Sequence, residues 1–228
     1  MTNPRDTDVS LPMLSTRGCG VLLHATRLRG PHGSGDLGEQ ARRFIDFLAA
    51  AEQSYWQLLP VGPTGYGNSP YSAQSAFAGN PLLIALSPLV AEGLLPEEAL
   101  ARAPELSPSR VDYAAVERYR SSCLRRAFER AASVPELAQF RERERAWLED
   151  YALFRALKSR HHEVEWTRWE PALRDREPAA LERARAELAD EIAFRCFEQW
   201  QFARQWQALR EHARSRRIEP DRDAHVFA

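Results

Sequence analysis

Lysine is nearly absent from this chain. Lys158 is the only one, and 31 basic residues stand against 32 acidic ones for a formal net charge of −1. Arginines and glutamates are interspersed along what read as helices, so there is no basic stripe of the kind nucleic acid requires. Cysteine is scarce too. Cys19, Cys123 and Cys196 are odd in number, far apart and without metal-ligand spacing, which excludes a disulfide framework and suits buried or idle thiols in a reducing, cytoplasmic compartment. Long apolar runs are missing as well: the best stretch, 81–90, is interrupted by Pro88 and is too short to span a bilayer. The first ten residues are polar, with no signal region. What remains is a 228-residue chain whose hydrophobic fraction of 44% suffices for one substantial domain, or one with a subdomain.

Residues 1–17 read as a disordered lead. Residues 19–23 form a brief apolar run that predicts a fully buried strand. Asp36 followed by Glu39 predicts a capping box, after which Leu37, Ala41, Phe44, Ile45 and Leu48 recur on one helical face. A second buried strand is expected at 55–59, stopped by Pro60. Strand, crossover helix and strand make a parallel βαβ unit, right-handed by the usual rule. From 88 to 217 the periodicity is helical, with helices expected at 116–132, 135–159 and 178–217 and no further strand. The segment 161–174 is irregular and carries Trp166 and Trp169, either a packed plug or part of a binding surface. The expected division is 18–87 for the βαβ part, 88–177 for a helical insertion subdomain, 178–218 for a long helix and 219–228 for a polar tail.

Several patterns were weighed for chemistry. Gly33-Ser34-Gly35-Asp36-Leu37-Gly38 matches the dinucleotide fingerprint, yet Asp36 would place negative charge where a pyrophosphate sits, and the second strand ends without an acid for a ribose. His161-His162-Glu163 with Glu165 holds metal-capable groups, but adjacent histidines point apart and nothing completes a ligand set. No metal and no cofactor is expected. Glu149 with Asp150, and Asp190 with Glu191, lie in helical stretches where surface charge is ordinary. The most informative stretch is Gly62-Pro-Thr-Gly-Tyr66-Gly-Asn68-Ser69-Pro-Tyr71. Glycine and proline fix an irregular backbone, tyrosine rings offer flat faces to the C–H side of a pyranose, and Asn68 and Ser69 can bond its hydroxyls. A tight turn whose tyrosines lean on their own fold is the alternative. Glycosidic chemistry also needs two facing carboxylates, and neither strand end, near His24 and Leu59, offers one.

Taken together, Gly20-Val-Leu-Leu-His24, Gly35-Asp-Leu-Gly38, Tyr55-Trp-Gln-Leu-Leu-Pro60, the loop 62–71 and Ser75-Ala-Phe-Ala-Gly-Asn-Pro81 resemble the N-terminal part of the 4-α-glucanotransferases, the amylomaltases of glycoside hydrolase family 77. The likeness continues more loosely through Trp147-Leu-Glu-Asp-Tyr151, Gln199-Trp200 and Gln205-Trp206. It implies an α/β fold, a partial TIM (β/α)8 barrel (its first two strands and helices) with a largely helical insertion. It also implies transfer of 1,4-α-glucan segments between maltooligosaccharides. The family's substrate contacts map onto Tyr66, Ser69 and Tyr71. Asn68 replaces a family aspartate and is a further candidate contact. Family members run on into a third strand and take their catalytic carboxylates from later strands, whereas here Arg217-Ile218 is followed by Glu-Pro-Asp. The expectation is therefore a truncated form with no catalytic residue of its own and no activity alone. The alternatives are a split-enzyme subunit needing a chain that supplies the rest of the barrel, or a maltooligosaccharide-binding module.

Overall fold

The computed structural model describes residues 17–101, 103, 110–131 and 134–221; almost all of the lead at 1–17 and the last residues of the tail lie outside them. Strand β1 (Gly20–Leu22), helix α1 (Glu39–Ala50) and strand β2 (Tyr55–Gln57) follow one another as the periodicity requires. Ala41, Ile45 and Leu48 of α1 are fully buried, being spaced to share one face. The helix stops in a left-handed turn: Glu52 has φ 55°, and the Gln53 N–H reaches back to the Leu48 carbonyl at 2.9 Å. That exit turn satisfies carbonyls the helix would leave bare and feeds the chain into β2. Trp56 at the centre of β2 is fully buried. Its indole N–H donates to the Leu23 carbonyl at 2.8 Å, and Phe44 meets it edge-on at 5.1 Å.

After β2 come a long loop and the short helices α2 (Ser87–Ala91) and α3 (Glu97–Ala101). Helices α4 (Tyr113–Arg130), α5 (Pro135–Arg143), α6 (Arg145–Arg160), α7 (Pro171–Arg174), α8 (Pro178–Glu187) and α9 (Ala189–Ser215) follow. Two of the long helices expected from periodicity are each divided. Glu144 (φ −94°, ψ 8°) separates α5 from α6, and Leu188 (φ −107°, ψ 18°) separates α8 from α9. Neither site has the glycine or proline that would mark a break. Helix α9, about 40 Å long at 1.5 Å per residue, is the axis of the molecule and packs against α1, α4, α5, α6 and α8. Its buried Ile192, Phe194, Cys196, Phe197, Trp200, Phe202, Trp206 and Leu209 point to several sides, as a helix covered all round must.

The structure shows four further features that the sequence does not predict. A third strand exists: β3 (Glu219–Asp221) pairs in parallel with β2, giving the order β1-β2-β3. Helix α9 enters it through the same exit turn that α1 uses. Arg217 has φ 59°, and the Ile218 N–H donates to the Ala213 carbonyl at 2.9 Å. An arginine where glycine is usual at that turn concealed the signal. Pro220 within β3 sits on an edge strand of this sheet, where proline is tolerated. Second, β1 is not fully buried: Gly20 and Leu22 are exposed and Val21 is half-buried, because the central strand β2 takes the core position. Third, Asp36 and Glu39 form no capping box. Gly38 is the N-cap of α1, and Glu39 pairs with Arg43 on the surface. Asp36 is instead buried against Arg120 of α4 at 3.0 Å. Fourth, the thiols divide, with Cys123 and Cys196 buried and Cys19 exposed.

Arg120 is the tie between α4 and the segment before α1. Its side chain is 1% exposed, and it donates to the Ile84 carbonyl at 2.7 Å, the Ser34 carbonyl at 3.0 Å and the Asp36 carboxylate at 3.0 Å. A buried guanidinium is tolerated only when matched in this way. The same contact answers the dinucleotide pattern. Asp36 accepts the Gly38 N–H at 3.0 Å, so a carboxylate of the chain itself occupies the place a phosphate would need.

Candidate functional site

The loop 62–71 leaves the C-terminal end of β2, the end of a parallel sheet where ligands gather. It is closed at its neck. Thr64 and Ala73 form an antiparallel bridge, the Gly65 N–H donates to Ser72 O at 2.9 Å, and the Gln74 N–H donates to Pro63 O at 2.9 Å. At the tip, residues Tyr66–Asn68 make a single 3-10 turn, with Gly67 at φ 70° and Asn68 at φ 54°. Asparagine is among the few side chains that accept the left-handed region readily, which suits Asn68 to this position. The Ser69 hydroxyl accepts the Tyr71 N–H at 3.3 Å. Asn68 is exposed, Ser69 half-buried and Tyr71 64% exposed; the side chain of Tyr66 lies outside the described residues. The Tyr71 side chain is therefore largely exposed to solvent.

The segment that follows the loop is tied to α9 by a pair of amides. Gln199 clamps Gly79 from both sides of its peptide, accepting its N–H at 2.8 Å and donating to its carbonyl at 2.9 Å. Gln205 does the same to Ala85, at 2.7 and 3.0 Å. The chain at Gly79 also lies so close to the Phe202 ring that a Cβ there would fall 2.1 Å from it, so glycine is required. A repeated Gln-Trp pair in α9, at 199–200 and 205–206, is the sequence trace of this device.

Beneath the loop lies a cavity of about 510 Å³ that Thr64, Gly65, Asn68 and Gln74 share with α4, α6 and α9. Four carboxylates line it, Glu117, Glu163, Glu165 and Glu198, and four cations, Arg120, Arg155, Lys158 and Arg195. Much of this charge is already paired off. Arg155 holds Glu163 through both guanidinium nitrogens at 3.1 and 3.2 Å and reaches the Gln74 amide oxygen at 2.8 Å. Arg195 holds Glu198 at 3.0 Å. Burial pushes the Glu198 carboxyl above its ordinary range against the pull of Arg195. Burial, reinforced by the Glu198 charge, raises the Tyr151 phenol. A cavity with balanced, internally matched charge and many donors and acceptors selects for an uncharged, polyhydroxylated ligand over an ion.

The other sequence candidates resolve into structure. His162 and Glu163 stand in a left-handed turn (φ 52° and 62°) after α6, where Lys158 Nζ donates to the Glu163 carbonyl at 2.6 Å. Among the described residues no cluster of histidine, cysteine and acidic side chains could hold a metal. Glu149 pairs with Arg141, Asp150 with Arg176 and Arg185, Asp190 with Arg125, and Glu191 with Arg125 and Arg195. The two tryptophans part company: Trp169 is 7% exposed and stacked on His161 at 5.2 Å, while Trp166 is 51% exposed. No described helix is long and apolar enough to cross a membrane. Arg155, Tyr151, Arg195 and Glu198 line the cavity without a sequence signal, since nothing in helical periodicity separates a side chain facing a cavity from one facing water.

The parallel strands, of which β2 and β3 are each entered from a helix through the same turn, with a loop closed at its neck beyond the end of β2, define a protein built on βα units. A family model for 4-alpha-glucanotransferase, glycoside hydrolase family 77, matches residues 23–228, and the chain belongs to that family. The 4-alpha-glucanotransferase of Thermus thermophilus is 48% identical over 217 residues, covering 92% of this chain and 43% of that protein. That of Synechocystis sp. is 44% identical over 212 residues, covering 90% and 42%. Among solved structures, an amylomaltase from Streptococcus agalactiae in complex with acarbose superposes with a TM-score of 0.85 at 33% identity, over 90% of this chain and 42% of that one. An amylomaltase from Corynebacterium glutamicum, at 18% identity and a TM-score of 0.66 over 87% of this chain and 29% of that one, shares the fold. The chain thus spans about two-fifths of the length of the curated relatives it matches, and the family match extends through the tail that the sequence reading set apart.

Proposed function

We propose that this chain binds 1,4-α-glucans and maltooligosaccharides through Tyr66, Ser69 and Tyr71, with Asn68 beside them, as part of a 4-α-glucanotransferase that moves glucan segments to glucose or another glucan. In this reading β1, β2 and β3 are the first three strands of a (β/α)8 barrel, and α2 to α8 are the insertion between the loop and the long helix α9. The observation that carries it is the loop itself, closed at its neck by the Thr64–Ala73 bridge, with Tyr71 largely exposed and Asn68 lining a polar cavity of mixed charge. Transfer needs two carboxylates across the scissile bond. Three of the four cavity carboxylates, Glu163, Glu165 and Glu198, are each held by an arginine; in this reading the chain binds and orients glucan while the reacting carboxylates come from the remainder of the barrel.

Calorimetric titration of the purified chain with maltoheptaose tests the binding half. Saturable binding that weakens roughly three- to tenfold in Tyr71→Ala is expected for a lost stacking ring; no binding by the parent chain would refute it. Incubation with maltotriose tests the other half. No glucose release is expected from this chain alone, and clear turnover would overturn the assignment of the chemistry to other strands.

A further inference from the structure

Phe77 is 67% exposed, the highest value among the large apolar side chains described. It does not stand on a slack loop. The Ser75 hydroxyl accepts the Phe77 N–H at 3.2 Å and the Ala78 N–H at 3.1 Å, and two residues on, Gly79 is locked by Gln199 on both sides of its peptide. The ring is thus carried outward on a fixed turn. Behind it lies Trp147 of α6, close to parallel, with ring centroids 6.2 Å apart and an interplanar angle of 23°. Trp147 is itself oriented, its indole N–H donating to Glu144 at 3.0 Å, and its far side meets Tyr151 at 6.2 Å. Tyr151 lines the cavity beneath the loop. A path of aromatic rings therefore runs from the cavity wall to an outward-facing phenyl, three residues along the chain from the cavity residue Gln74.

We infer that Phe77, backed by Trp147, is a stacking platform for a glucose unit of a longer 1,4-α-glucan, on the side of the insertion helices. The inference rests on the glucan reading of the loop. A pyranose presents an apolar C–H face to such a ring and turns its hydroxyls outward. The neighbouring acceptors and donors, Glu144, Gln74 and Arg155, are already held in place by hydrogen bonds. A ring whose orientation is settled before the ligand arrives loses little rotamer freedom on binding.

The test compares maltotriose and maltoheptaose as ligands of the full chain by calorimetry, in the parent protein and in Phe77→Ala, Phe77→Tyr, Phe77→Leu and Tyr71→Ala. Phe77→Ala and Phe77→Leu are expected to weaken maltoheptaose roughly three- to tenfold while leaving maltotriose within about twofold, and Phe77→Tyr is expected to bind as the parent does. Loss with Leu as well as Ala ties the effect to a flat ring and not to apolar volume. Unchanged maltoheptaose affinity in Phe77→Ala, alongside weakened binding in Tyr71→Ala, overturns the platform and leaves the loop reading standing. Unchanged affinity in both variants removes the loop reading and the platform with it. A Phe77→Ala chain that binds both sugars normally but sediments as a smaller species than the parent would assign the ring to self-association, and the platform would fall.

Discussion

Replacing Gln199 by leucine isolates the clamp on Gly79. The side chain becomes apolar at a position that is 2% exposed, and the Gly79 N–H and carbonyl both lose their partner. Each buried backbone group left unmatched costs about 1–3 kcal/mol. The packing of leucine returns some of that, so a net loss of about 2–5 kcal/mol is expected, a large part of the ~5–15 kcal/mol typical of a folded domain. Equilibrium urea unfolding measures it as a lowered midpoint with an unchanged slope. Maltoheptaose affinity should fall in step, because the loop and Phe77 flank the released peptide. A control separates the two hydrogen bonds. In Gln199→Glu the protonated carboxyl can still donate to the Gly79 carbonyl, whereas the carboxylate cannot. Burial raises the folded-state pKa of such a group above the ordinary ~4.3. Its stabilising bond is then fully present below about pH 4.3 and is lost as the pH rises through the higher folded value. A Gln199→Leu chain within about 0.5 kcal/mol of the parent, with equal protection of the Gly79 amide against exchange, would refute the clamp.

Two further outcomes follow from buried charge. Arg120→Met should cost about 3–5 kcal/mol, because it strands the Asp36 carboxylate; adding Asp36→Leu should recover part of that, and a double variant less stable than the single one would contradict the pairing. His24 and His32 are both held below the ordinary histidine range, chiefly by burial, with a neighbouring arginine acting in the same direction in each case. The unfolded chain then takes up protons first. Stability should fall as the pH drops below about 6.5 and continue to fall until the lower folded values are reached. Urea midpoints between about pH 5 and 8 should show this slope, and His24→Gln with His32→Gln should flatten it.

Much of the fold was legible. The face of α1 that Ala41, Ile45 and Leu48 share, the apolar core of β2 and the helical character of α9 follow from periodicity, because burial acts on side chains at fixed intervals along a helix or strand. The third strand was not legible. A two-state reading of hydrophobic pattern has nothing to grip in Glu-Pro-Asp, and the pairing exists because β2 offers an open row of hydrogen-bonding groups beside it. Nor were the breaks at Glu144 and Leu188, where tertiary contacts bend a chain whose local preferences are helical throughout.

For the loop, local sequence carries the backbone: Gly67 and Asn68 are residues that tolerate positive φ, and the motif around them resembles that of the 4-α-glucanotransferases. It could not show that Gln199 grips Gly79 across 120 residues, that Arg155 and Glu163 neutralise each other in a shared cavity, or that Phe77 stands outward against Trp147. Local conformational preference is written in neighbouring residues, whereas partners distant in the chain are set by packing, and only the assembled helices decide which amide, charge or ring comes within reach of which.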